Sequence, residues 1–432
     1  MTPNKQHQGS LVFIFITVLV DVIGVGIIIP VIPTLITELG DVGNSGAAEI
    51  GGYMLVAFAG MQYFFAPVLG ELSDRFGRRP VLLFALLGLG VDYLIHAIAP
   101  TLTWLFIGRF LAGITGASYT VASSYIADVS TPENKAKNFG LIGAAFGLGF
   151  IIGPALGGLV GGWFGPRAPF YLAAGLTLLN FLFGLTILPE SLPREKRRPM
   201  DFKRVIPFVN FFYLGKYQGI LGLIMAFFLA NVAGQVMPST WTYYTIEVFE
   251  WTELEIGISL AVVGFMVAIV QAVLLKQVVK AFREKKTIII GFIFWTFGMA
   301  LFSFADTEWK LYAFLLPYIL GGVASPTLQG LISNQVSPTE QGNLQGVLTS
   351  LISVSSITGY FLFPLLFSHF TSPDAEVYYP SVSFTAAGII MLAGLLLIMI
   401  SLKRIQEGAI HPDRVTERPL AQEETAPEGD SE

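Results

Sequence analysis

The chain contains no cysteine, which excludes disulfides, thiol chemistry and cysteine-based metal sites. Charge is almost as scarce. Asp, Glu, Lys and Arg make up 13% of the 432 residues, about half the roughly 25% carried by soluble domains. Histidine occurs four times, scattered, with no HExxH pattern, and no GxxxxGK loop followed by Ser or Thr is present. A zinc hydrolase and direct ATP drive are therefore not expected, and the chain reads as a non-enzyme with no metal and no cofactor. What is abundant is apolar surface. Hydrophobic residues make up 53% of the chain and mean hydropathy is +0.67, more than a water-soluble fold can cover.

A helix needs about 20 apolar residues to cross a bilayer, and only closed hydrogen-bonded elements survive there. Twelve stretches qualify, near 11–38, 51–70, 80–100, 102–124, 138–162, 168–189, 217–245, 255–276, 287–306, 309–333, 342–369 and 380–402. The first contains Asp21 and lacks a cleavage site behind it, so it is a retained span and not a signal peptide. Basic residues segregate strongly. With the N-terminus inside, 22 of the 25 lie on the internal side, and only Arg167 and Lys310 lie outside, with Arg109 within a span. By the positive-inside rule both termini are cytoplasmic, in the inner or plasma membrane. The expected organisation is an N-terminal six-helix bundle (1–190), a basic cytoplasmic linker (191–216), a C-terminal six-helix bundle (217–402) and an acidic tail (403–432) whose composition predicts disorder. Lipid is the expected surroundings and nucleic acid is not an expected partner.

The two halves repeat weakly. "VSTPEN" at 129–134 and "VSPTEQ" at 336–341 stand 207 apart, the basic loops starting at Gly70 and Lys276 stand 206 apart, and Trp104 and Trp309 stand 205 apart. A six-helix unit duplicated in parallel resembles the arrangement of major facilitator transporters, which implies a substrate site between the halves.

Several motifs are family-specific. "GELSDRFGRRP" after span two, "GRFLAGITGA" in span four and "GFIIGPALGG" in span five are joined by "DVIGVGIIIPVIPTL" in span one and "GQVMPSTW" in span seven. With these the chain resembles the major facilitator superfamily, and within it the tetracycline-resistance branch of twelve-helix drug:proton antiporters. The resemblance implies an all-α membrane fold of two pseudo-symmetric six-helix bundles. It also implies export of small amphiphilic molecules against a proton gradient by a monomer. The alternative within the superfamily is a proton-coupled metabolite symporter. One departure stands out: where the tetracycline exporters carry a histidine in helix eight and an acid in helix nine, this chain has Val267 and Trp295, so tetracycline itself does not follow.

Charged groups deep in a span are costly and functional by default. Asp21, Asp92 and Arg109 are the three, all in the first half. Burial favours a protonated carboxyl and a neighbouring cation an ionised one, so Asp21 or Asp92 can alternate between a protonated form and one paired with Arg109. The alternative is a static polar network that holds helices together. Arg109, Gly113, Gly116 and Thr120 share one helical stripe, which can pack closely or border a cavity. His96 reads as an interfacial residue near the far end of span three, the alternative being that it shares the proton of Asp92.

Gln62, Asn231, Gln235, Gln271, Gln329 and Gln345 are candidate substrate ligands, each equally able to bond a neighbouring helix. The resemblance implies a cytoplasmic gate of Asp74 and Arg78 with Asp128, around Gly70 and Gly77. Asp74 would face the N-terminal end of span eleven, and the gate would break when the protein opens inward. In the span-five antiporter motif, Gly149, Gly153, Pro154, Gly157 and Gly158 permit close helix contact, and family architecture sets this span against span eight between the halves.

Overall fold

The computed structural model describes residues 3–116, 118–131, 134–200, 213–337 and 340–406. The acidic tail from 407 and linker residues 201–212 lie outside the described residues. Eleven helical stretches are long and apolar enough to cross a membrane. One of them, Glu253–Phe304, has 52 residues, about 78 Å at 1.5 Å per residue, far more than the roughly 30 Å of hydrocarbon it would meet. It must turn, and it does so at Arg283, with φ 61° and ψ 164°. The crossings are therefore twelve, and among the described residues there is no β-strand.

That turn has a twin. Gly77, between Asn44–Phe76 and Arg78–Ile98, has φ 107° and ψ 157°, 206 residues before Arg283. The offset equals that of the sequence repeat, so the two halves duplicate a backbone event as well as a composition. A side-chain carbon at Gly77 would run into the carboxylate of Glu190. Glu190 occupies that space because it accepts hydrogen bonds from the backbone N–H groups of Arg78 (2.8 Å) and Arg79 (3.3 Å), an anion at a helix N-terminus.

Four spans are interrupted. Span one comprises Pro3–Ile28 and Ile32–Gly40, broken around Pro30; span four is Leu102–Thr115 and Ser118–Val129, broken at Gly116. Span seven is Leu221–Gly234 and Val236–Phe249; span ten is Glu308–Leu320 and Ala324–Ser333, broken at Gly321–Val323. The interrupted spans are thus the first of every three, and each break falls at or beside proline or glycine, which weaken helix continuity. Interrupted helices inside a bilayer are tolerated only where protein or a water-filled cavity satisfies the freed backbone.

Spans one to six form one lobe and spans seven to twelve the other. Span five packs on span one within its lobe and on span eight across the seam, and spans two and eleven form the second seam. The glycine stripe of span five does not face span eight, as expected. Gly149, Gly153, Gly157 and Gly161 lie against Val22, Ile23, Ile27 and Val31 of span one. The seam is made by the adjacent face instead. Gly158 meets Glu253 and Gly257, Gly257 meets the carbonyl of Pro154, and Gly264 meets that of Phe150. The period of four keeps one face turned to span one, and the seam takes the residues one position on.

The lobes touch on the side away from the basic loops. There Thr34 donates to Glu253 (2.7 Å), Asn44 to Glu247 (2.8 Å) and Ser368 to Glu49 (3.4 Å). Toward the basic side span five packs on the first lobe through Ile142 and Ala145, while a side-chain carbon at Gly140, Gly143 or Gly147 would touch nothing within 4 Å.

Two predictions follow from the backbone and the seam. Arg283 stands in a region essentially reserved for glycine, at a cost of order 1–3 kcal/mol. Arg283→Gly is expected to raise the melting temperature in detergent, and Gly77→Ala to lower it. At the seam, Gly257→Leu overpacks a backbone-to-backbone contact and is expected to lower the melting temperature in detergent, at a cost of about 1–3 kcal/mol. Gly175→Leu, with nothing within 4 Å of its added carbon, is expected to leave the melting temperature near the unmutated value.

Candidate functional site

Asp21, Asp92 and Arg109 come together on the wall of one cavity of about 320 Å³. Spans one, two, three, four and five line it from the first lobe, and Pro238, Ser239, Thr242, Tyr243 and Tyr360 close it from the second. The cavity thus lies where a site between two halves is expected, and its wall is mainly aromatic and aliphatic. Among the described residues that line it, Asp21, Asp92 and Arg109 are the acidic or basic groups.

The arginine has chosen its partner. Arg109 Nη2 lies 2.6 Å from Asp92 Oδ2, and Arg109 Nε donates to His96 Nε2 at 3.2 Å. His96 Nδ1 lies 2.9 Å from the Asp92 carbonyl and 3.0 Å from Asp92 Oδ1. Since the guanidinium donates to Nε2, the ring proton sits on Nδ1 and the imidazole is neutral. Asp92 and His96 are wholly buried, and His96 stacks on Phe170 with ring centroids 5.3 Å apart. The expectation of an interfacial His96 is therefore overturned. The histidine lies one turn from Asp92 on the same face of span three, and the buried arginine draws both inward.

Local sequence makes this triad possible. A side-chain carbon at Gly108 would strike the His96 ring and the Asp92 carboxylate, so glycine beside the arginine lets spans three and four close up. Gly113 likewise sits against Met61 and the Phe58 carbonyl of span two. The span-four stripe therefore both packs and borders the cavity, with Gly113 serving the first and Arg109 and Gly116 the second.

Asp21 stands apart. Its Oδ1 is buried and has no hydrogen-bond partner, while the carboxylate has the Ser118 side chain of span four as a hydrogen-bond partner, both residues lining the cavity. One carboxylate is thus neutralised by a fixed guanidinium while the other carries no counter-ion.

Of the six candidate amides only Gln62 lines this cavity, and its Nε2 donates to the Gly116 carbonyl at 2.9 Å. Asn231 donates to Phe227 and Gln235 to Asn231 within their own helix. Gln329 and Gln345 lie 3.4 Å apart, and Gln271 is exposed in a π-helical turn of span eight. The second lobe contributes hydroxyls and tyrosines instead, which sequence reasoning passed over; the signal was present as "PSTWTYY" after the span-seven break. Val267 and Trp295 are half-buried in the apolar core of the second lobe, with Trp295 against Gly321.

The loop triad forms. Arg78 pairs with Asp74 and its Nε lies 3.1 Å from Asp128 Oδ2, while its Nη1 donates to Ser73 at 2.6 Å. Ser73 Oγ in turn donates to the Gly70 carbonyl at 2.7 Å. All these groups belong to the first lobe. The triad is whole in a structure whose lobes are joined by side-chain hydrogen bonds on the opposite side.

The sequence pattern of the Major Facilitator Superfamily matches residues 14–322 and 275–426. The chain is 39% identical to the class C tetracycline resistance protein of Escherichia coli, over 94% of this chain and 98% of that one. It is 40% identical to the class G tetracycline resistance protein of Vibrio anguillarum, over 84% and 91%. The fold is also that of a bacterial homologue of the human lysosomal transporter Spinster, with a TM-score of 0.76 and 15% identity over 94% of this chain and 98% of that one. With its motifs, its twelve crossings in two lobes and the cavity between them, the chain belongs to the Major Facilitator Superfamily, beside the tetracycline resistance proteins.

Proposed function

We propose that the protein exports amphiphilic small molecules in exchange for protons, by alternating access of the cavity between the lobes. The basic loops lie in the cytoplasm, as their charge bias requires. Residues 1–190 and 217–402 act as the two moving units, and a monomer is sufficient. The observation that carries the reading is the inequality of the two carboxylates. Asp92 is paired with the Arg109 guanidinium at 2.6 Å, whereas Asp21 lines the same cavity with the Ser118 side chain as a hydrogen-bond partner and, among the described residues, no ion pair to a cation. A carboxyl in that position takes up or releases a proton as solvent or substrate reaches it, and this couples proton and substrate at one site. Arg109 keeps its proton throughout. Its role is to hold Asp92 and His96 and to present a constant positive edge to the cavity.

The names of the relatives point to tetracycline. The apolar Val267 and Trp295 remove the second-lobe acid and histidine from that picture. The proposed substrate class is therefore the wider one of aromatic amphiphiles that fit a cavity with aromatic walls. Asp74, Arg78 and Asp128, with Gly70 and Gly77, brace the cytoplasmic ends of spans two, three and four as one unit. Gly149, Gly153, Pro154, Gly157 and Gly158 keep spans one and five in contact and the seam tight.

Asp21→Asn is expected to abolish proton-driven export while leaving substrate binding measurable. Removing one partner of a buried ion pair costs about 3–5 kcal/mol, so Arg109→Ala is expected to lower stability as well as transport. Acid-loaded vesicles should release protons on drug addition with the unmutated protein and not with Asp21→Asn. Full proton-driven transport by both Asp21→Asn and Asp92→Asn would overturn the reading, and co-uptake of substrate with protons would replace export by symport. A panel of dyes and antibiotics in energised cells identifies the substrate.

A further inference from the structure

Three hydrogen bonds that join the lobes away from the basic side share one chemistry. Each runs from a neutral donor on one lobe to a glutamate on the other, while Asn44 also donates to the Tyr243 carbonyl (2.9 Å) and Thr242 to the Ile29 carbonyl (3.5 Å). Thr34, in the second segment of span one, donates to Glu253 at the start of span eight (2.7 Å). Asn44, at the start of span two, donates to Glu247 at the end of span seven (2.8 Å). Ser368 of span eleven donates to Glu49 of span two (3.4 Å). The acceptors alternate between lobes, so neither lobe supplies the charge alone.

Both oxygens of two of these carboxylates are engaged. Glu49 also accepts from Tyr53 (2.9 Å) and Glu247 from Tyr378 (2.9 Å). Among the described residues no Lys, Arg or His forms an ion pair with any of the three. Cations on this side are committed elsewhere: Arg167 donates to the Ala97 carbonyl at 3.0 Å and Lys310 pairs with Asp306. The titratable neighbours are few. Tyr53 lies on the helix of Glu49, and His369 follows Ser368. Tyr378 faces Glu247 from the loop before span twelve, where Asp374 and Glu376 also stand, and Glu250 follows on its own segment. Beside Glu253, Glu255 accepts from Thr252, Glu38 stands one turn beyond Thr34, and span five brings only Gly158 and Gly161.

An ionised carboxylate is an acceptor only, and charge roughly doubles the strength of the bonds it receives. Protonation removes that charge and turns one oxygen into a donor, which then faces Thr, Asn, Ser and Tyr groups already donating. A salt-bridged gate would resist this, because its cation holds the carboxylate ionised. A gate of carboxylates with neutral partners resists it less, because neutral donors favour the ionised form more weakly than a cation does.

We propose that Glu49, Glu247 and Glu253 form a gate opposite the basic loops that closes when they are ionised and is released by external protons. Resting on the coupled-transport reading above, the gate gives the incoming proton a second task. Acid outside opens the path by which protons reach Asp21 and by which substrate leaves. The three glutamates act through lobe position and touch no substrate.

The absence of native cysteine makes a distance measurement direct. Thr101 and Thr307, exposed N-caps of spans four and ten and 206 residues apart, take spin labels as Thr101→Cys and Thr307→Cys. With the native glutamates, acidification from neutral pH is expected to lengthen the label-to-label distance by several ångströms. Glu49→Gln, Glu247→Gln and Glu253→Gln together are expected to show the longer distance at neutral pH, with no further response to acid. Thr34→Val, which removes a donor and no charge, is expected to shift the distribution the same way at neutral pH. It serves if the triple variant does not fold. Equal distances at both pH values with the native glutamates overturn the proposal, as does an undiminished acid response in the triple variant. The same pair in an Asp21→Asn background separates the two sites: an acid response that persists belongs to the gate, and one that vanishes belongs to Asp21 and overturns it. A protein that fails the transport assays yet still lengthens in acid keeps the gate and loses the transport reading.

Discussion

A guanidinium in the interior of a membrane protein must be answered by an anion. Arg109 finds it in Asp92, and much of the first lobe is arranged around that pair. Spans three and four approach closely enough for a 2.6 Å contact because Gly108 has no side chain to hold them apart. His96 accepts from the Nε of the arginine, and Phe170 covers the ring. Satisfying one charge in this way is costly, since both ions leave water. It leaves Asp21 as the carboxylate without a counter-ion, and a fixed pair beside a free acid is an asymmetry that a proton gradient can use.

The duplicated architecture sets where such chemistry can act. The breaks in spans one, four, seven and ten put irregular backbone at the centre of both lobes. Yet the halves have diverged in what they do with the shared frame. The turn at Gly77 holds Glu190 and the Asp74–Arg78–Asp128 network beneath it, whereas its counterpart at Arg283 keeps the backbone angle without the glycine. In the cavity, the ionic groups come from the first lobe, which also supplies aromatics such as Phe58 and Tyr93, whereas the second lobe adds Pro238, Ser239, Thr242, Tyr243 and Tyr360 and no acidic or basic group among the described residues.

Close packing and polar bonding divide the seams between them. Spans five and eight meet through glycine and backbone carbonyls, a contact that tolerates sliding and seals against ions. Beyond it, toward the ends of the helices, side-chain hydrogen bonds from Thr34, Asn44 and Ser368 complete the closure. The first kind of contact is set by shape and the second by the match of donors to carboxylate acceptors.

Span number, the two-lobe division and the depth of Asp21, Asp92 and Arg109 were legible in the sequence. Hydrocarbon imposes a length on every helix and a penalty on every charge, and both leave marks readable residue by residue. The repeat was legible too, down to an offset that the paired turns at 77 and 283 reproduce. Partner choice was not. Whether Arg109 takes Asp21 or Asp92, whether His96 lies at the interface or in the core, and which face of the span-five glycine stripe meets span eight depend on helix rotation and approach. These are set jointly by neighbours far apart in the chain. The same holds for the amides set aside as ligands: most lie on faces turned away from the cavity, because periodicity shows that residues share a face and only packing shows what that face meets.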